Sequence, residues 1–192
     1  MANDFFAYLS KMRYINRWAL MRNSMNENLS EHSLETAYIS HALAIISNKR
    51  LGNNVDISRV VLRAIYHDCS EILTGDLPTP VKYNNPEIKK AYKDLEKLAN
   101  RKLLKLLPDD MREEYEEYFE ESTDEKEEEL VWAADKLSAV IKCLQEENAG
   151  NREFVKAKQA IMDQIHKKGV KEAEIFIEEF LPAYELTLDE MD

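Results

Sequence analysis

An all-α fold, a helical bundle in one domain, follows from three features of this 192-residue sequence. Only 4 Gly and 5 Pro punctuate it, which leaves few positions for tight turns or sheet bulges. Leu, Ala, Glu and Lys dominate, with long stretches of apolar residues at 3.6-residue spacing. Alternating β-branched runs are scarce. The length suffices for a substantial core, and no repeat, low-complexity segment or linker divides residues 1–192.

The helices can be placed in order. Phe5 to about Trp18 reads as a first amphipathic helix, followed by the polar connection MRNSMNEN. Ser30 is a good N-cap for a helix to about Ser47. LGNNVD is a turn, and a third helix runs from Ile57 to about Thr74 with Gly75 just past its end. The prolines of GDLPTPVKY then fall in ordered loop. Asn85 and Pro86 combine a cap with a first-turn proline, opening a helix to about Leu107. Asp109 and Asp110 begin a short acidic helix with Met111, Tyr115, Tyr118 and Phe119 inward. Ser122 and Glu125 have capping-box spacing before a helix that reaches the AGN break. Asn151 caps another to about Lys168, and a last helix spans Val170 to Leu181. Thr187 and Glu190 repeat the box spacing in the tail.

Charge and cysteine usage exclude several classes. The net charge is −11, and the stretch from Pro108 to Glu129 carries 13 Asp/Glu against Arg112 and Lys126. That local excess accounts for the whole imbalance and reads as a solvated helical face. Lys11, Arg13, Arg17 and Arg22 face only Asp4 in the first 22 residues, enough for a small phosphorylated substrate but not for a nucleic-acid polymer. Cys69 and Cys143 make no disulfide framework, so a reducing cytoplasm is expected. No apolar run is long enough to span a bilayer, and the N-terminus lacks the pattern of a signal peptide.

Chemistry concentrates in IYHDCSEILTGDLPTP. His67, Asp68 and Glu71 interrupt the two inward stripes of the third helix, where ionisable groups are costly unless paired or metal-bound. A His–Glu pair one turn apart is the structural alternative. His32 begins the inward stripe His32, Thr36, Ile39, Leu43, Ile46 of the second helix, where it could equally cover a helix start. Asp135 sits in the otherwise apolar LVWAADKLSAVIKCL among small residues, with Lys136 or Lys142 as the alternative partner. His41 and His166 lie on other faces and carry no site role. Two imidazoles and two carboxylates would suit a borderline divalent transition metal.

The order His32, His67-Asp68, Asp135 resembles the HD-domain metal phosphohydrolases. INRWALMRN, ENLSEHSLETA, YHDCSEILTGDLPTPVKY and AADKLSAVIKCLQE, with the tail LTLDE, look like the bacterial 5′-deoxynucleotidase family over nearly the whole chain. Cys69 departs from the small residue expected beside the motif and is taken as a packed thiol. The resemblance implies hydrolysis of deoxyribonucleoside 5′-monophosphates by a homodimer, with selection against ribonucleotides. It implies one divalent ion per chain (cobalt, manganese or copper) on His32, His67, Asp68 and Asp135. Glu71 and Asp76 are the acid–base candidates, and which of them activates water stays open. Arg17 would take the phosphate. Trp18, Asp76, Leu77, Pro78 and Thr79 would form the sugar site, alongside His32, Asp68 and Asp135. A phosphodiesterase or triphosphohydrolase would need more basic residues near the metal, and a non-catalytic nucleotide-binding regulator would lack a ligand or the acid.

Overall fold

The computed structural model describes residues 3–82, 85–120 and 122–191, with the side chains of Thr79 and Pro80 also outside the description. Its helices are α1 (Phe5–Leu9), α2 (Leu29–Arg50), α3 (Ile57–Tyr66), α4 (Glu71–Thr74), α5 (Thr79–Lys82), α6 (Pro86–Leu104), α7 (Asp109–Phe119), α8 (Glu125–Asn148), α9 (Val155–Lys168) and α10 (Lys171–Glu179). Short 3-10 turns follow α1, precede α9 and close the chain. No strand occurs among the described residues, only an isolated antiparallel bridge between Asn16 and Asn28. Among the described residues no helix is long and apolar enough to cross a membrane.

The chain forms two compact units. The first comprises Met1–Arg22, Asn26–Ser33 and Tyr66–Ser122. Its core gathers Phe5, Met12, Leu29, Cys69, Leu103, Leu104, Leu107 and Phe119. Aromatic rings of Tyr66, Tyr115 and Tyr118 pack onto that core, Tyr66 stacking on Phe119 at 5.3 Å. Cys69 is fully buried with Sγ 3.9 Å from Met12 Sδ, as expected of a packed thiol.

The second unit comprises Asn23–Met25, Leu34–Ile65 and Thr123–Asp192. It is built on α8, whose Leu130, Ala133, Ala134, Leu137 and Ile141 are fully buried against apolar residues of α2, α3 and α10. Buried acids here are matched by cations and donors. Lys142 Nζ and Asn151 Nδ2 bond to Glu146, which also accepts from the backbone N–H of Ser24 and Met25. Lys126 and Ser47 bond to Glu172. Glu127 lies 3.3 Å from Arg59 and 3.5 Å from Arg63. The acidic stretch is therefore a solvated face along α7, where Glu113, Glu114, Glu116 and Glu117 are exposed, but not at Glu127.

Four expectations need correction. The first helix stops well short of Trp18, because Ile15 turns extended and the backbone bonds across to residues 27–29: Arg17 N to Glu27 O at 3.0 Å and Leu29 N to Ile15 O at 2.9 Å. The third helix breaks at His67–Ser70 into a turn of three-residue bonds, such as Glu71 N to Asp68 O. Neighbouring side chains on a continuous helix diverge by about 100°, whereas the turn leaves His67 Nε2 only 3.1 Å from Asp68 Oδ2. The proline loop contains α5, since a proline in a first helical turn forfeits no intrahelical bond. The caps also shift. Asn28 accepts from Ser30 N and Glu31 N while Glu31 accepts from Asn28 N, and Asp124 caps α8 in place of Ser122. Asn85 and the Thr187–Glu190 box are as read.

Burial alone would raise the Glu146 carboxyl, but Lys142, Asn151 and the two backbone donors hold it down at about 2. A carboxylate lowered on folding stabilises above its ordinary pKa and loses that contribution as pH falls through the folded value. Glu146→Gln leaves Lys142 buried without its countercharge and should cost about 3 kcal/mol at neutral pH. Urea denaturation at several pH values checks this: the gap to the parent should shrink between about pH 4.5 and about pH 2.

Candidate active site

Within the first unit, Asp68 is the point on which one guanidinium and two imidazoles converge. Its Oδ2 lies 3.1 Å from His67 Nε2, 3.5 Å from His32 Nε2 and 3.3 Å from Arg17 Nη1. His32 is fully buried at the start of α2, and its ring centroid is 5.2 Å from that of His67. One ligand atom from each of His32, His67 and Asp68 lies within 4.8 Å of the others. Burial would raise the Asp68 carboxyl, yet the two histidines, His67 foremost, hold it well below the usual carboxylate range. Two imidazole nitrogens turned toward one carboxylate oxygen are the donor chemistry a borderline divalent ion requires, so these residues fit such an ion.

Glu71 is 4 % exposed, and among the described residues nothing bonds its Oε2. Burial pushes its carboxyl up to about 10, the charges of Asp68 and Asp76 adding to the rise against Arg17 and Lys82. Asp76 is half-buried and raised by burial too, while Arg17 and the backbone N–H of Trp18 pull it down. Both ends of the Asp76 loop are fixed to α6. Tyr92 donates its hydroxyl to Gly75 O at 3.1 Å, and Lys82 bonds to Glu96 at 2.7 Å while sitting 4.6 Å over the Tyr92 ring. Gly75 adopts φ +74°, a conformation open to glycine at no steric cost. Leu77 and Pro78 are half-buried beyond it; Thr79 opens α5, and its side chain lies outside the described residues.

Arg17 and Trp18 stand on the strand-like segment that bridges to residues 27–29. Trp18 has φ +61° and donates its indole N–H to Glu27 Oε2 at 2.7 Å. Arg17 Nε lies 3.5 Å from the same oxygen. Glu27 is the residue that reading the sequence misses: only the bridge brings a loop acid beside residues nine and ten positions earlier. Asp135 belongs to the second unit, half-buried on α8, where it pairs with Lys136 at 2.9 Å rather than with Lys142. His41 is exposed, and exposed His166 pairs with Glu174 at 2.8 Å.

Residues 4–184 match the family model described as 5′-deoxynucleotidase YfbR-like. The chain belongs to the YfbR-like 5′-deoxynucleotidase family. Over 190 residues it is 47% identical to the 5′-deoxynucleotidase VV1113 of Vibrio vulnificus and 46% identical to the 5′-deoxynucleotidase of Vibrio cholerae, covering 98% of each pair. Its fold is similar to an HD-domain phosphohydrolase of Listeria innocua, with TM-score 0.82 at 24% identity over 94% of this chain and 88% of that one. It is also similar, with TM-score 0.67 at 17% identity, to the cyanophage S-2L HD phosphohydrolase described as bound to dA and one catalytic Zn2+ ion, over 94% and 96% of the two chains. This member of the YfbR-like family is thus a phosphoric monoester hydrolase on the all-α HD-domain fold, as the sequence implied.

The folded state of the metal-free protein keeps a proton on Glu71 that the unfolded chain releases above its ordinary pKa. Stability therefore falls as pH rises from about 4.5 toward about 10. Glu71→Gln preserves a neutral side chain, so its Tm should gain on the parent progressively with pH. Calorimetry on metal-free protein across that window checks the slope, and a pH-independent difference contradicts it.

Proposed function

We propose that the chain is a metal-dependent 5′-deoxynucleotidase, hydrolysing deoxyribonucleoside 5′-monophosphates to deoxyribonucleosides and phosphate and selecting against ribonucleotides. The observation that carries this reading is the convergence of His32, His67 and Arg17 on Asp68, with the proton-bearing Glu71 in the same unit. The names of the relatives and the dA and zinc of the cyanophage enzyme support the substrate class and the metal.

His32, His67, Asp68 and Asp135 would hold one divalent transition ion, with cobalt, manganese or copper suited to their mixed donors. When bound, the ion supplies charge neutralisation at the phosphate and a lowered pKa for water. Arg17 offers the phosphate a planar fork of donors beside that cluster. Glu71, whose carboxyl burial raises in the metal-free protein, is the acid–base group for activating water or protonating the departing sugar 5′-oxygen. Asp76 accepts from the sugar 3′-hydroxyl and is the second acid–base group. Trp18, Leu77, Pro78 and Thr79 form the wall that receives the sugar, the indole excluding a 2′-hydroxyl.

Residues 1–192 are read as a single HD domain, supported by a family match that runs from residue 4 to residue 184. The buried thiols of Cys69 and Cys143 support a reducing, cytoplasmic setting. A homodimer is supported by the exposed stripe of Leu34, Tyr38 and Ile45 on α2. The even charge balance outside the acidic stretch supports a small nucleotide as partner rather than a nucleic-acid polymer.

Asp135→Ala should remain folded by circular dichroism yet lose stoichiometric metal by elemental analysis, together with phosphatase activity. Retention of one ion per chain removes Asp135 from the ligand set. Trp18→Ala should lower the ratio of kcat/KM for deoxy-AMP over AMP by about tenfold, the scale of one hydroxyl buried without a partner. An unchanged ratio in folded, metal-loaded variant rules Trp18 out as the discriminator.

A further inference from the structure

Glu27 joins three parts of the site through one carboxylate. It lies in the polar connection before α2, is 9 % exposed, and sits directly across the bridge from Arg17, whose backbone N–H donates to its carbonyl at 3.0 Å. Its Oε2 accepts the Trp18 indole N–H at 2.7 Å and lies 3.5 Å from Arg17 Nε. Its Oε1 faces His32 Nδ1 at 3.8 Å, beyond a hydrogen bond but within ion-pair separation. Trp18 is the only non-glycine residue of positive φ among the described residues, at +61°. A left-handed backbone is unfavourable for a bulky side chain and persists only where its surroundings impose it. Here the backbone N–H is tied to Asp76 and the ring to Glu27, so the indole has one orientation relative to Arg17.

We propose that Glu27 is the positioning residue for sugar selectivity, fixing the Trp18 ring against the Arg17 guanidinium so that phosphate anchor and sugar wall keep one spacing. The inference rests on the reading of Trp18 as the sugar wall. The geometry explains why a residue that touches no substrate governs which sugar is accepted. Loss of the carboxylate releases the ring while leaving its bulk, and a ring free to swing away admits a 2′-hydroxyl. Small displacements of this kind change rates sharply. Glu27→Gln retains an oxygen that accepts the indole N–H but loses the charge beside Arg17. Glu27→Ala loses both.

The test compares parent, Glu27→Ala, Glu27→Gln and Trp18→Ala, each saturated with the same divalent ion. Two readouts are taken: kcat and KM for deoxy-AMP and AMP, and the Trp18 indole N–H resonance in 15N-labelled protein. Trp18→Phe assigns that resonance against Trp132. Glu27→Ala should lower the deoxy-over-ribo ratio of kcat/KM by about tenfold, matching Trp18→Ala, and move the indole resonance upfield with faster solvent exchange. Glu27→Gln should retain most of the ratio and the indole signal while raising KM for both nucleotides through the altered Arg17. If Trp18→Ala lowers the ratio and Glu27→Ala does not, Glu27 has no selectivity role although the sugar-wall reading stands. If neither changes it, the sugar-wall reading fails and the role of Glu27 fails with it. If only Glu27→Ala changes it, the route through the indole is wrong.

Discussion

The Asp68 carboxylate is the constraint around which the first unit is arranged. A charge in partly dry surroundings needs compensation, and here it comes from His67, Arg17 and His32 at 3.1–3.5 Å. Each partner arrives on a different piece of chain: His32 on the first turn of α2, His67 and Arg17 on stretches that depart from regular helix. The helical run after Ile57 breaks at residues 67–70, so that consecutive side chains meet at one oxygen. The segment after Tyr14 turns extended and bridges to residues 27–29, which sets Arg17 beside Asp68 and Glu27 beside Trp18. The aromatic core of α1, α6 and α7 supports these irregular stretches from behind.

Buried acids in the two units behave differently, and the difference separates structure from chemistry. In the second unit Glu146 and Glu172 are fully buried with a lysine and further donors on each, and their carboxyls lie below the ordinary value. Such pairs hold helices in register but have no proton to give near neutrality. Glu71 is nearly as buried, yet its Oε2 has no bond among the described residues and two neighbouring acids add to its rise. A carboxyl kept neutral by its surroundings is the state in which a carboxylic acid donates a proton. That contrast is what motivates the proposal of Glu71 as an acid–base group.

Most helices were legible because their signals are local: 3.6-residue stripes, Asn85-Pro86, the AGN break and Gly75. The inward stripe His32, Thr36, Ile39, Leu43, Ile46 is buried as its spacing implied. What was not legible depends on contacts between distant segments. No local rule stops α1 early; the competing bridge to residues 27–29 does. No periodicity reveals the turn at His67–Ser70, since VVLRAIYHDCSEIL continues a helical pattern through it. The candidate site was visible as residue types, His and Asp at inward positions, while Glu27 was invisible. Its neighbours Asn28 and Glu31 carry the capping signal, and only the fold brings an acid in a loop to Trp18.

In the proposed function, the side chains converging on Asp68 form a divalent-metal phosphatase centre specific for deoxynucleotides. The most direct measurement is phosphate release from paired deoxyribo- and ribonucleoside 5′-monophosphates after the metal has been stripped and then added back. Stripped protein should show no turnover, adding cobalt or manganese should restore it, and the recovered activity should be confined largely to the deoxy member of each pair. Full turnover at substoichiometric metal, or equal rates on both sugars, would contradict it.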